Sequence, residues 1–379
     1  MDLSPILNPL NDAQRAAVTA PLGPVLVLAG AGSGKTRVLI HRIAWLIETE
    51  GVSPHSILAV TFTNKAAGEM RGRVEQLLGI PGSALWLGTF HGIAHRLLRM
   101  HWREAGLPQG FQILDAEDQL RLIKKLLKAL NLDETRWVPR ELQYFINKHK
   151  DEGRRPKHVA GGGDPTQLQL IKLYEQYEEA CARSGVIDFA ELLLRAFELW
   201  RDQPDVLRHY RGRFRHVLVD EFQDTNSIQY AWIRLLVGSE GAAFVVGDDD
   251  QSIYRFRGAK VENLHKFRED FPQAKLYRLE QNYRSTAGIL DAANALITNN
   301  TGRLGKTLWT SAPGGDRVKL YAAYNERDEA EFVVTRILEW TQRGGLRREA
   351  AILYRSNAQS RSFEEALISM RVPYRVYGG

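Results

Sequence analysis

Residues 29–36, Ala-Gly-Ala-Gly-Ser-Gly-Lys-Thr, hold in one run what phosphate binding requires. Ala29, Gly30, Ala31, Gly32, Ser33 and Gly34 are small enough for backbone N–H groups to wrap a phosphate. The helix pattern that follows adds the positive end of its dipole. Lys35 is expected to reach the β- and γ-phosphates and Thr36 to ligate Mg²⁺. The strict pattern opens on glycine where this chain has Ala29, but the tightest approach uses Gly32 and Gly34. A glycine-rich turn that binds nothing is the alternative, and the apolar run before and helix pattern after weigh against it. An acid pair, Asp220-Glu221, ends another apolar run 185 residues after Lys35. Asp220 is expected to hold Mg²⁺ through its water shell, and Glu221 to orient and deprotonate the attacking water. Taken alone, such a pair also reads as acids capping the next helix. A third apolar run leads into Gly247-Asp-Asp-Asp-Gln251, where the Gln251 amide is placed to sense a γ-phosphate. Tyr254, Phe256 and Arg257 follow within six residues. The bland alternative makes these aromatics core residues and the three aspartates a solvated turn.

Short apolar runs must position these residues. Runs 24–29, 57–62, 216–220 and 243–247 read as buried parallel strands, and 275–279 as a more polar one. Helix patterns at 36–48 and 65–78 alternate with them, the rhythm of a doubly wound α/β domain. Between 90 and about 214 the rhythm gives way to helix patterns at 116–130, 139–150, 166–184 and 188–200. Glycine- and proline-bearing breaks at 106–110 and 161–165 separate them. A second α/β pattern begins after Glu280, with strands expected near 318–322 and 350–354 around a helix at 326–343. The expected division is 1–89 with 215–280 as a first core domain, 90–214 as a helical insertion, and 281–379 as the first part of a second core domain.

Composition sets wider bounds. The 379 residues carry 51 Lys+Arg against 45 Asp+Glu, a net of +6 that suits a polyanion partner without a histone-like excess. A single cysteine, Cys181, excludes an internal disulfide framework and any multi-cysteine zinc site. The N-terminus has no charged region followed by an apolar core, and no apolar run approaches the ~18 residues that span a bilayer. These features predict a soluble, intracellular, cytoplasmic protein with no membrane partner.

Eight blocks in order resemble the UvrD/Rep/PcrA group of superfamily 1 DNA helicases. They are residues 11–14, 29–36, 61–67, 88–92, 220–224, 247–259, 279–286 and 354–361. The resemblance implies a RecA-like P-loop NTPase core with an all-helical insertion and the start of a second RecA-like domain. It implies ATP and Mg²⁺ as cofactors, with Gln14 reading the adenine edge and Tyr283 stacking on the ring. Arg37 falls on the base or sugar side, and Arg284 is the γ-phosphate arginine carried by the second core domain. It also implies single-stranded DNA across both core domains. Phe62, Thr63, Thr89, Phe90 and His91 contact backbone and bases, and Tyr254 and Phe256 stack. Arg257 holds phosphate, and Arg355 and Asn357 grip from the second domain. The family usually has tryptophan at 256, so Phe256 offers a smaller face.

By resemblance the activity is ATP-driven translocation and 3′–5′ unwinding in nucleotide excision and mismatch repair. The implied partners are single/double-strand junctions and DNA-repair proteins, for a monomer or weak self-associate. The family's later Gly-Leu-Glu and Thr-Arg blocks are absent, which implies a fragment that binds ATP weakly and unwinds little alone. Two other readings stay open: a DNA- or partner-docking module with vestigial ATPase, and a small-molecule P-loop kinase. Residues 136–157 hold seven Lys/Arg against three acids with Trp137, Tyr144 and Phe145 interleaved. They read either as a DNA contact or, more simply, as a solvated basic face with its aromatics in the core.

Overall fold

A computed structural model describes residues 2–239, 241–255, 258–312 and 314–377. Phe256 and Arg257 lie outside the described residues. The strands in chain order are β1 (Val25–Ala29), β2 (Ile57–Thr61), β3 (Trp86–Thr89), β4 (Gln112–Leu114), β5 (Val186–Asp188), β6 (His216–Val219), β7 (Ala242–Gly247) and β8 (Lys275–Leu279). Six of them form one parallel sheet in the order β3-β2-β6-β7-β1-β8. Strands β1, β2 and β6 are buried along their whole length, and β7 at every position after its first, because helices cover both faces. Strand β8 is the more polar because it is an edge, paired only with β1. All six carboxyl ends share one edge of the sheet, where doubly wound folds bind ligands.

Strand β3 was not expected as a strand. Trp-Leu-Gly-Thr is four residues with a glycine inside, and its pairing with β2 supplies what its propensity lacks. The short parallel pair β4–β5 was likewise unexpected. It ties the start of the 112–188 segment to its end.

One hydrophobic core lies on each face of the sheet. The first packs Leu58, Val60, Val217 and Val245 against helices Phe90–Met100, Phe189–Asp202 and Ser227–Val237, with Trp86, Trp200 and Trp232 at its centre. The second packs Val27, Ala59 and Val246 against helices Lys35–Glu48 and Asn64–Leu78. A separate core, built on Ile123, Leu127, Leu142, Ile146, Leu173 and Tyr177, joins helices Ala116–Ala129, Pro139–Asp151 and Pro165–Ser184. No helix among the described residues is long and apolar enough to cross a membrane.

The chain divides into two compact units, 1–315 and 316–379. In the second, helices Glu326–Gln342 and Ser360–Ser369 pack through Ala330, Val334, Phe363 and Leu367. The strands expected at 318–322 and 350–354 do not form. No neighbouring strand accepts their backbone groups among the described residues, and Leu320 and Leu353 are almost fully exposed. The basic stretch is also not a uniform solvated face. Lys150 is buried on Asp188 and Glu191, and Arg155 is enclosed by Glu178, Glu191 and Glu198, while Tyr144 is exposed.

Candidate nucleotide site and strand cleft

The loop after β1 turns through Gly32 (φ +66°) and Gly34 (φ +86°), left-handed conformations that glycine adopts without a Cβ clash. A Cβ on Gly32 would lie 2.6 Å from Asn282 Nδ2 and 2.9 Å from Arg284 Cβ, so the residue also permits close approach of the 282–284 segment. Lys35 opens the following helix and forms an ion pair with Glu221 at 3.3 Å. Its Nζ is buried and has no hydrogen-bond acceptor. Thr36 Oγ1 donates to Asp220 Oδ2 at 3.4 Å. Burial, helped by neighbouring Glu221, pushes the Asp220 carboxyl up to about 6, with Lys35 and Thr36 pulling the other way. A buried cation lacking an acceptor beside a carboxylate short of positive charge is the pattern expected of a pocket suited to a phosphate–cation pair. The residues therefore fit ATP with Mg²⁺.

Glu221 takes φ +48°, a left-handed conformation uncommon outside glycine. Its N–H donates to Asp220 Oδ1 at 3.0 Å, and Gln223 Nε2 donates to its Oε2 at 2.8 Å. These bonds hold the strained residue with its carboxylate toward Lys35. Gln223 also accepts from the Asp248 N–H at 2.9 Å, and Gln251 Nε2 donates to Asp248 Oδ2. The ends of β6 and β7 are thereby joined through one amide. Asp224, behind them, is pushed up to about 6, mainly by burial and then by Glu221.

Gln14 is buried and braces the loop, its Nε2 donating to the Ser33 carbonyl at 2.8 Å. It also completes a capping box with Asn11. An amide nitrogen carries two hydrogens, so one remains for a ligand edge. Tyr283 keeps an exposed ring, and its hydroxyl is fixed by Asn11 Nδ2 at 2.6 Å and Gln281 Oε1 at 2.9 Å. The Tyr283 N–H donates to the Gly32 carbonyl, and Asn282 Nδ2 to that of Ala31, so Tyr283 and Arg284 stand beside the phosphate loop. Arg37 is exposed and donates to the Pro9 carbonyl at 3.3 Å. Asn11, Gln223 and Asn282 had no role assigned from sequence, and only the capping spacing of Asn11 and Gln14 signalled one.

A cleft of about 360 Å³ brings together Phe62, Thr63, Phe90, His91 and Tyr254. Phe90 is buried and backs Phe62, their ring centroids 5.5 Å apart. Thr63 and Thr89 cap helices Asn64–Leu78 and Phe90–Met100 by accepting from Ala66 and Gly92 N–H. Burial takes the His91 imidazole down to about 4, so it is neutral at physiological pH. Asn147 and Asp151 of helix Pro139–Asp151, and Phe189 at the start of helix Phe189–Asp202, also line the cleft, a contribution not expected from sequence. Arg355 and Asn357 are exposed in the second unit, at the turn before helix Ser360–Ser369.

A phosphate loop after an interior parallel strand, an acid pair directly after β6 and a polar turn after β7 define a RecA-like nucleotide-binding core. The chain belongs to the UvrD/REP helicase family: residues 10–272 match the UvrD/REP helicase N-terminal domain and 277–379 the UvrD-like helicase C-terminal domain. It is 62% identical to DNA helicase II of Escherichia coli K12 over 379 residues, all of this chain and 53% of that protein. It is 57% identical over 383 residues to DNA helicase II of Haemophilus influenzae, covering all of this chain and 52% of the relative. It is 43% identical over 378 residues to the ATP-dependent DNA helicase PcrA of Staphylococcus epidermidis, with the same coverage of 100% and 52%. The chain spans about half the length of these relatives.

Proposed function

We propose that this chain is the ATP-binding and strand-gripping part of an ATP-driven single-stranded DNA translocase and 3′–5′ helicase. The proposal extends to cytoplasmic nucleotide excision and mismatch repair, with strand junctions and repair proteins as partners. The observation that carries it is the buried, acceptor-less Lys35 facing Glu221, beside an aromatic cleft at the same edge of the sheet. Bound ATP and Mg²⁺ supply the phosphoanhydride and the charge that neutralises it. Lys35 and the loop N–H groups bind phosphate, Thr36 and Asp220 hold the cation, and Glu221 takes the proton from the attacking water. Gln251 senses the terminal phosphate and Arg284 stabilises its developing charge. Gln14 and Tyr283 hold the base edge and face, and Arg37 its sugar side. Phe62 and Tyr254, with Phe256, stack on bases without reading sequence, as a translocating motor requires. Thr63, Thr89, His91, Arg257, Arg355 and Asn357 hold the strand's backbone, with Phe90 as the support behind Phe62. Residues 90–214 are the helical inserted domain of this arrangement.

The test is steady-state ATP hydrolysis by residues 1–379 and by the complete protein, with and without single-stranded DNA, alongside Lys35→Ala. DNA-stimulated hydrolysis that Lys35→Ala abolishes in the complete protein supports the reading. DNA binding without stimulation refutes it in favour of a docking module. Unwinding of 3′-tailed but not 5′-tailed duplexes by the complete protein tests the polarity.

A further inference from the structure

Strand β7 runs straight into three consecutive aspartates, whose carboxylate oxygens lie within 4.8 Å of one another. Three acids this close are expected either to face water or to enclose a cation. They enclose one, and it belongs to the chain. Lys306 Nζ lies 2.5 Å from Asp248 Oδ1, 2.7 Å from Asp249 Oδ1 and 2.7 Å from Asp250 Oδ2. Its side chain is 2% exposed. Arg303 forms a two-pronged pair with Asp250, Nε and Nη2 each at 2.7 Å, and the Leu304 N–H donates to Asp249 Oδ2. The three carboxylates hold Lys306 protonated against the penalty of its burial.

The turn gripped in this way carries the chemistry of the site. Gln251 donates to Asp248 through its side chain, and its N–H donates to the Asp248 carbonyl at 3.0 Å. The Asp248 N–H reaches Gln223, Gln223 reaches Glu221, and Glu221 pairs with Lys35. A single polar chain thus runs from Lys306 to the phosphate-loop lysine. The other end of the same segment touches that loop too. The Trp309 carbonyl accepts from Asn282 N–H at 2.7 Å, Asn282 bonds Ala31, and Leu308 lies against Gly30. Residues 303–309 therefore join the Gln251 turn to the segment bearing Tyr283 and Arg284.

We propose that Lys306 is a positioning residue for nucleotide hydrolysis. It fixes the Asp248–Gln251 turn and, through Asp248 and Gln223, the Glu221 carboxylate, so that base and sensor keep one geometry. The inference rests on the reading of this site as an ATPase. A strand end needs no buried ammonium to fold, because apolar residues in place of a buried ion pair are often as stable. What the ion cluster adds is a fixed position for a turn that would otherwise be free to shift.

The experiment compares the complete protein, Lys306→Gln, and the double variant Lys306→Gln/Asp249→Asn. The double variant removes one negative charge with the positive one, restoring the charge balance without restoring the grip. Readouts are kcat and KM for DNA-stimulated ATP hydrolysis, the dissociation constant of a fluorescent ATP analogue, and the melting midpoint. The expected result is a kcat lowered about tenfold or more in both variants, with analogue affinity within about two-fold of the parent. The double variant melts close to the parent, so the loss of rate is not a loss of fold. Where Lys306→Gln alone does not fold, the double variant carries the test. A double variant that regains stability and kcat together overturns the proposal, because Lys306 would then be a counterion only. So does Lys306→Gln with kcat within about two-fold of the parent. A parent that hydrolyses no ATP under any condition instead refutes the reading of the site itself.

Discussion

Replacing Asp151 by asparagine should stabilise the protein at pH 8 and lose most of that benefit in acid. Asp151 ends helix Pro139–Asp151 on the wall of the strand cleft, its Oδ1 accepting from Asn226 Nδ2 at 3.1 Å. Burial, then the Asp188 and Glu152 carboxylates, push it up to about 7 from the 3.8 of an exposed aspartate; Asn226 and Lys150 offset only part of this. The folded-state value is raised, so the folded protein keeps a proton that the unfolded chain releases from about pH 4 upward. Stability is therefore lost as pH climbs to about 7, and the loss is constant above that. At about 1.4 kcal/mol per pH unit the cost is capped near 4 kcal/mol. Asparagine keeps the oxygen that accepts from Asn226 and carries no charge, so it removes the cost while keeping the bond. Urea unfolding of parent and Asp151→Asn at pH 5 and pH 8 is the assay, with free energies from linear extrapolation. The gain should be at most about 4 kcal/mol at pH 8 and about two-fifths of that at pH 5. A gain that is equal at both pH values, or larger at pH 5, refutes the account.

Two further substitutions test the inserted helices and the cleft. Arg155→Met takes its cation from Glu178 and leaves Glu198 only Arg201, 3.8 Å away, and should cost about 3–5 kcal/mol of unfolding free energy; a loss below about 1 kcal/mol would mean the three-glutamate cage is incidental. Tyr254→Ala should weaken single-strand binding by about 1–3 kcal/mol, measured by fluorescence anisotropy on oligonucleotides of different sequence. A loss confined to one base type would refute stacking as its role.

The strands that hold the site could be read directly because both faces of the sheet are covered. Val25–Ala29 and Ile57–Thr61 are buried at every position and so appear as unbroken apolar runs. The same logic misleads where a run has no neighbour. Residues 318–322 and 350–354 have strand-like composition, but a ladder needs a second strand, and composition does not report whether one is adjacent. Strand β3 shows the converse, since Gly88 weakens its propensity while pairing with β2 forms it. The buried Lys150 and Arg155 were hidden for a related reason. A basic stretch looks solvated until the acids at 178, 188, 191 and 198 are folded against it.

The phosphate loop and the acid pair were legible because each is a local constraint, set by glycine freedom or by adjacency in the chain. What aligns them is not local. Asn11 meets Tyr283 across 272 residues and Asn282 meets Ala31 across 251, and an asparagine at either position is unremarkable by type. The Asp248–Asp250 run is intermediate. Three acids directly after a buried strand cannot all follow it inward without positive charge, so their position alone requires either solvent or a cation from elsewhere. The structure resolves that choice with Lys306, 57 residues beyond Asp249. The requirement was written in the sequence at the acids, whereas the residue that meets it was identifiable only from the fold. For a site assembled from separated segments, the useful signal is thus an unmet electrostatic demand rather than the identity of its partner.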